Sequence, residues 1–100
     1  MSNIIKFEDY HFEVAKTDLR GTFKWGEIPK DVPEGWEVPT IKELMLIFLA
    51  KKGLRMSKDT YWSSTERTRI LAWQVHFGDG TAYFHEKCVD GHIRLIRRIK

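Results

Sequence analysis

The segment PTIKELMLIFLAKKG, residues 39–53, constrains the fold more than any other stretch of the chain. Thr40 is a good helix N-cap, and Glu43 stands three positions later, as a reciprocal capping box requires. Lys51 and Lys52 fall where they would complement the negative end of the helix dipole, and Gly53 can take the left-handed stop. The spacing predicts a helix over residues 40–52. Its middle, LMLIFLA, is apolar on every side, so it is not an ordinary half-exposed surface helix. Either sheet and loops wrap most of it, or part of it meets a partner chain.

Few other segments read as helical. In NIIKFEDYHFEV, Ile5/Phe7 and Phe12/Val14 alternate around Glu8-Asp9, which predicts an N-terminal hairpin. Pro29 and Pro33 forbid a long helix in WGEIPKDVPEGW and leave room for one helical turn near Trp25. The last third holds three strand-like runs, ILAWQVHF, TAYFHEKCV and HIRLIRRI, with Asp-Gly in each gap, a strong short hairpin signal. The expectation is an α+β domain spanning residues 1–100: the hairpin, one main helix and a C-terminal antiparallel three-stranded meander.

Two-residue turns at Asp79-Gly80 and Asp90-Gly91 would pair Phe77 with Ala82, Val75 with Phe84, Cys88 with Ile93 and Glu86 with Leu95. Trp73, Val75, Phe77, Ala82, Phe84, Cys88, Ile93, Leu95 and Ile99 then share an apolar face, and a one-residue slip would scatter them. Trp36, Leu44, Phe48, Trp62, Trp73, Val75, Phe77, Phe84 and Leu95 are the expected core. The opposite face collects Gln74, His76, Thr81, Tyr83, His85, Lys87, His92, Arg94, Ile96 and Arg98, with no acid among them. An aromatic set among bases can bind phosphate, sulfate or an acidic protein surface. A solvated outer sheet face would look similar. Candidate binding residues are Arg67, Arg69, His76, Tyr83, His85, Lys87, Arg94 and Arg98.

Chemistry is harder to place. The four histidines show no metal-ligand spacing, and Cys88 is the single cysteine, so neither a metal site nor a cofactor is expected. Ser63 and Ser64 in TYWSSTE lack a nucleophile elbow and a local base. Gly78-Asp79-Gly80 is explained by a hairpin, not a phosphate loop. Seventeen Lys and Arg against 14 Asp and Glu give a net charge of +3, permissive of an anionic partner but weaker than a dedicated nucleic-acid binder. The start MSNIIKFEDY has no secretory pattern, and the longest apolar run, Leu44 to Ala50, is too short to span a bilayer. The expected location is cytoplasmic, that of a host if the chain is phage-encoded.

Four blocks occur in order: GWEVPTIKEL (35–44), YWSST (61–65), AWQVHFGDG (72–80) and RLIR (94–97). Together they resemble the Lcl C-terminal domain family, found in collagen-like bacterial adhesins and in small bacterial and phage proteins. The resemblance covers about residues 22–98 and implies a C-type-lectin-like fold. Glu37 stands where the family carries arginine, and the segment before it is short and proline-rich. The resemblance implies no catalytic residue. It implies a binding scaffold, for sulfated polysaccharide in some members and for protein receptors in related phage proteins.

The functional expectation is thus a non-enzymatic module that binds a macromolecule, first of all a protein, such as a phage or mobile-element inhibitor of a host complex, an anti-CRISPR or other anti-defence protein. The alternatives are an anion-binding module for nucleic acid or sulfated glycan, and a self-associating protein that uses the apolar helix. On these grounds Trp62→Ala and Trp73→Ala each cost about 3–5 kcal/mol in a denaturation experiment.

Overall fold

The computed structural model describes residues 3–29, 32–50 and 52–99. The N-terminal hairpin forms where the alternation places it. Strand β1 (Ile4–Phe7) pairs antiparallel with β2 (Tyr10–Val14), Ile5 opposite Phe12 and Phe7 opposite Tyr10. Glu8 closes the turn with left-handed backbone, φ 51°. A short strand β3 (Phe23–Lys24) leads into a single 3-10 turn, Trp25–Glu27, the one turn the prolines permit. Strand β4 (Trp36–Glu37) follows.

Helix α1 runs Ile41–Leu49, capped by Thr40. The capping box is complete: the Glu43 amide donates to Thr40 Oγ1 at 3.3 Å, and the Thr40 amide donates to Glu43 Oε1 at 2.8 Å. The helix is shorter than the predicted 40–52. Ala50 ends it, Lys51 lies outside the described residues, and Lys52 is past the helix, not in its last turn. Gly53 does take the left-handed conformation, φ 87°, but inside the turn that brings Leu54 back into the core.

The C-terminal third departs from the expected meander. Three strands do form an antiparallel sheet, but they are β5 (Thr60–Glu66), β6 (Leu71–His76) and β7 (Thr81–Glu86). TYWSSTE is the first of them, and the last run of the chain is not a member. Asp90-Gly91 is not a hairpin turn: it forms β8, paired with β3. The chain then crosses the molecule, and β9 (Ile96–Arg98) inserts between β2 and β4, giving a four-stranded sheet of order β1-β2-β9-β4. The Asp79-Gly80 hairpin exists with a wider loop, Phe77–Gly80. Val75 faces Ala82 and Trp73 faces Phe84, two residues from the expected register. A two-residue shift preserves the faces, so the grouping of Trp73, Val75, Ala82 and Phe84 survives.

What fails is the assumption that one face is core and the other solvent. Strand β5 divides two cores. Tyr61 enters the first, with Phe12, Leu44, Ile47, Val75 and Ile96. Its neighbour Trp62 points the opposite way, into a second core with Ala72, Ile93 and Leu95. The supposed outer face therefore includes buried Gln74, Arg94 and Ile96. Gln74 Nε2 has no hydrogen-bond partner among the described residues. Conversely, Ala82 and Cys88 are exposed, and Phe84 is 43% exposed and not core. Leu44, Trp62, Val75, Phe77 and Leu95 are buried as expected, while Trp36, Phe48 and Trp73 are only partly so. The helix meets the first core through Leu44 and Ile47, and Leu49 is left 77% exposed.

TYWSSTE carries a β-bulge between Trp62 and Glu66. The Ser63 hydroxyl donates to the Trp73 carbonyl at 2.7 Å and accepts from the Thr65 amide at 3.1 Å. Thr65 Oγ1 accepts from the Ile41 amide at 2.9 Å, tying the strand to the first turn of α1. The Trp62 indole donates to the Phe23 carbonyl at 2.8 Å. A Cβ on Gly91 would sit 2.8 Å from Trp62 Cδ1, so only glycine lets β8 pass this close to the ring.

Arg94, read as a surface cation, is 2% exposed. Its Nε donates to Asp18 Oδ1 at 2.8 Å, and its two terminal nitrogens donate to the carbonyls of Ala15, Leu54 and Arg55 at 2.9, 2.9 and 3.2 Å. Removing one partner of such a buried pair costs about 3–5 kcal/mol, the loss expected for Arg94→Ala in chemical denaturation. Arg94→Lys recovers little, because an ammonium lacks the planar fork. The same measurement separates the tryptophans: Trp62→Ala costs about 3–5 kcal/mol, and the half-exposed Trp73→Ala clearly less.

Candidate functional site

The eight candidate binding residues do not assemble into one basic face. Arg94 is spent inside the molecule. Arg98 makes a two-point contact with Glu43, 2.9 and 2.8 Å, and also pairs with Glu37. The Glu43 contact holds the Arg98 guanidinium above its ordinary range. Lys87 donates to Glu66 at 2.6 Å and to the Arg69 carbonyl at 2.8 Å, its ammonium 4.2 Å above the Trp25 ring. Lys87 therefore faces an acid, not Arg94. His76 is the last residue of β6, 3.4 Å from Asp79 in the loop that follows. The Asp79 carboxylate is held below its usual range chiefly by the Thr81 amide. Tyr83 and His85 do share a face of β7, with ring centroids 6.2 Å apart, and the Tyr83 hydroxyl is 3.3 Å from that of Thr60. Sequence reasoning placed the bases by register alone and missed the acids that pair Arg94, Arg98 and Lys87, which come from the loop after β2, from α1 and β4, and from β5.

The other face of the β5-β6-β7 sheet offers a more coherent surface. Trp73 and Phe84, paired across β6 and β7, meet edge to face at 5.4 Å. The Arg67 guanidinium stacks 4.5 Å above the Phe84 ring. Ala82 is exposed on the same face, and Ile70, in the β5–β6 turn that also carries Arg67 and Arg69, is 64% exposed. Val75 on this face packs under α1, so the solvent-facing aromatic pair lies next to the helix. An aromatic pair with a stacked arginine combines large rigid contact area with directional hydrogen bonding, the composition of protein-binding hot spots. Of the candidate binding residues, Arg67 belongs here. Phe84, expected in the core, is the residue that defines the patch.

A second, smaller feature is a hollow of about 320 Å³ lined by Trp25, Gly26, Ile28, Pro29, Val38 and Ser64. It is apolar, and the Trp25 indole N–H is already committed to the Ser63 carbonyl at 3.0 Å.

A polar cluster around the buried Tyr61 acts as a brace. The Tyr61 hydroxyl reaches both Asp18 oxygens, at 2.9 and 2.8 Å, and accepts from the Ser57 amide at 2.9 Å. His92 stacks on Tyr61 at 5.4 Å, and lies 3.9 Å from Asp18 and 3.6 Å from Asp59. No group of three or more His, Cys, Asp or Glu among the described residues is placed to hold a metal. No helix among them is long and apolar enough to cross a membrane.

Comparison with protein-family models and with curated proteins returned no match. The family resemblance therefore rests on its four blocks. In the structure these are structural parts: β4 with the capped start of α1, the bulged β5, β6 with its loop, and Arg94 with the start of β9.

Burial, with the hydrogen bond to Asp18 adding to it, pushes the Tyr61 phenol far above its ordinary value of 10.0. The fold favours the neutral phenol, so this contribution is full below about pH 10 and is lost as pH rises further. In an alkaline absorbance titration, one tyrosine should ionise only as near-ultraviolet circular dichroism collapses. Tyr61→Phe should remove that fraction.

Proposed function

We propose that this chain is a non-enzymatic binding module whose partner is a protein, engaged through the Trp73–Phe84 surface and its Arg67. The observation that carries this reading is the placement of Phe84. It is 43% exposed on the same sheet face whose Val75 is fully buried, in T-shaped contact with the Trp73 ring and with the Arg67 guanidinium over its own. An aromatic left exposed in that setting is a ready anchor for a partner's apolar side chain. The anion-binding alternative loses its main support, because Arg94, Arg98 and Lys87 are each paired with a carboxylate. The lectin-like architecture belongs to the same proposal. In its favour, the four sequence blocks supply the capped helix, the dividing strand and the buried arginine on which the two cores depend. An inhibitor of a host complex, phage-encoded and acting in the cytoplasm, is one setting that a small binding module of this kind suits.

Affinity capture with Phe84→Ser and Arg67→Ser, each first shown to melt like the parent, tests the reading. Either change should weaken retention of a specific protein by about tenfold or more, with little dependence on salt. Retention unaffected by both changes would overturn it, as would salt-sensitive binding to heparin or nucleic acid beyond what net charge explains.

A further inference from the structure

Strand β7 is the open edge of its sheet, and it lacks the usual protections. Edge strands are commonly kept short, bulged, or interrupted by lysine or proline. The edge strand β1 is four residues long and carries Lys6, and β4 is only two residues long. TAYFHE is six residues, pairs with β6 at six consecutive positions without a bulge, and contains neither lysine nor proline.

Alternation along the sheet fixes which backbone groups face out. Trp62 N donates to the His92 carbonyl, so Tyr61 and its partner Val75 turn toward each other. Gln74 then turns toward Tyr83, as His76 does toward Gly80, whose amide it accepts at 2.7 Å. Hence the amides and carbonyls of Ala82, Phe84 and Glu86 point away from the sheet. The Glu86 amide is already bonded to His85 Nδ1 at 2.8 Å. Immediately beyond, the Lys87 carbonyl is taken by the Trp25 amide at 3.1 Å. Among the described residues, the N–H and C=O of Ala82 and Phe84 are the outward groups of β7 left without a backbone partner.

We infer that β7 pairs antiparallel with β7 of a second copy of this chain, about a two-fold axis at Tyr83. A two-fold perpendicular to the sheet sets one residue opposite its own copy. With Tyr83 on the axis, Ala82 faces Phe84 of the second copy and Phe84 faces its Ala82. Both pairs are outward-pointing, so they exchange all of these donors and acceptors. Thr81 then faces His85, and no like charges meet. With Phe84 on the axis, Ala82 would face the Glu86 carboxylate and call on an amide that His85 already holds. The Tyr83 register therefore uses all of those outward groups and buries apolar against apolar. It yields a continuous six-stranded sheet that carries two copies of the Trp73–Phe84 face side by side. The inference rests on the edge and stands apart from the proposed partner reading.

Sedimentation analysis of the intact chain should show a dimer that dissociates on dilution. In a Cys88→Ser background, Tyr83→Cys should form an interchain disulfide on mild oxidation, since directly opposed residues of a non-hydrogen-bonded pair lie about 4.5 Å apart at Cα. Phe84→Cys should not. Ala82→Lys with Phe84→Glu should keep the dimer, each lysine facing a glutamate, whereas Ala82→Lys with Phe84→Lys should dissociate it by tenfold or more. Ala82→Pro, tolerated on an edge whose amide faces out, should give a folded monomer that still presents Trp73, Phe84 and Arg67. Its partner capture then reports on the face alone. A monomer at millimolar concentration, or crosslinking through Phe84→Cys and not Tyr83→Cys, would overturn the inference.

Discussion

The guanidinium of Arg94 is the point on which the molecule closes. It takes the Asp18 carboxylate and the Ala15 carbonyl from the loop after β2, and the Leu54 and Arg55 carbonyls from the return after α1. Three segments distant in sequence meet on one planar cation, which supplies the buried Leu54 carbonyl with its donor. Asp18, in turn, anchors Tyr61. The brace thus reaches β5, the strand that separates the two cores. The C-terminal segment crosses the molecule because Arg94 is held at the centre while Ile93 and Leu95 enter the second core and Ile96 the first.

Around this brace, polar side chains fix geometry. Glu43 caps the helix through Thr40 and receives Arg98 from β9, so one carboxylate orients α1 against the four-stranded sheet. Ser63 and Thr65 hold the bulge and join it to the helix start. The hydroxyls that make TYWSSTE resemble a nucleophilic motif are accounted for by these backbone contacts. Ser64 contributes its amide, to the Pro39 carbonyl, and its exposed side chain lines the apolar hollow. Among the surfaces the packing leaves uncovered are the Trp73–Phe84 face, proposed for recognition, and the β7 edge beside it.

Features written in neighbouring residues were legible from sequence. The capping box, the Glu8-Asp9 hairpin and the single turn at Trp25 each depend on contacts within a few positions. The candidate site was legible only in part. Arg67 was singled out, but Phe84 was assigned inward, because period-two alternation says which residues share a face and not which face is covered. Asp90-Gly91 shows the same limit. Asp-Gly is the residue pair a tight turn wants, yet here the glycine is needed because the Trp62 ring occupies the space of a Cβ.

By itself, the sequence determined the class of the fold, the position of its helix start and the strand-forming runs, because these follow from local propensity, capping and side-chain alternation. Tertiary structure alone decided which strands join and which charges are spent. The last run leaves β7 and threads between β2 and β4, because burying Ile93, Leu95 and Ile96 in two cores satisfies more apolar surface than one edge strand could. The same crossing carries Arg94 inward to Asp18 and Arg98 to Glu43, and leaves the edge of β7 open.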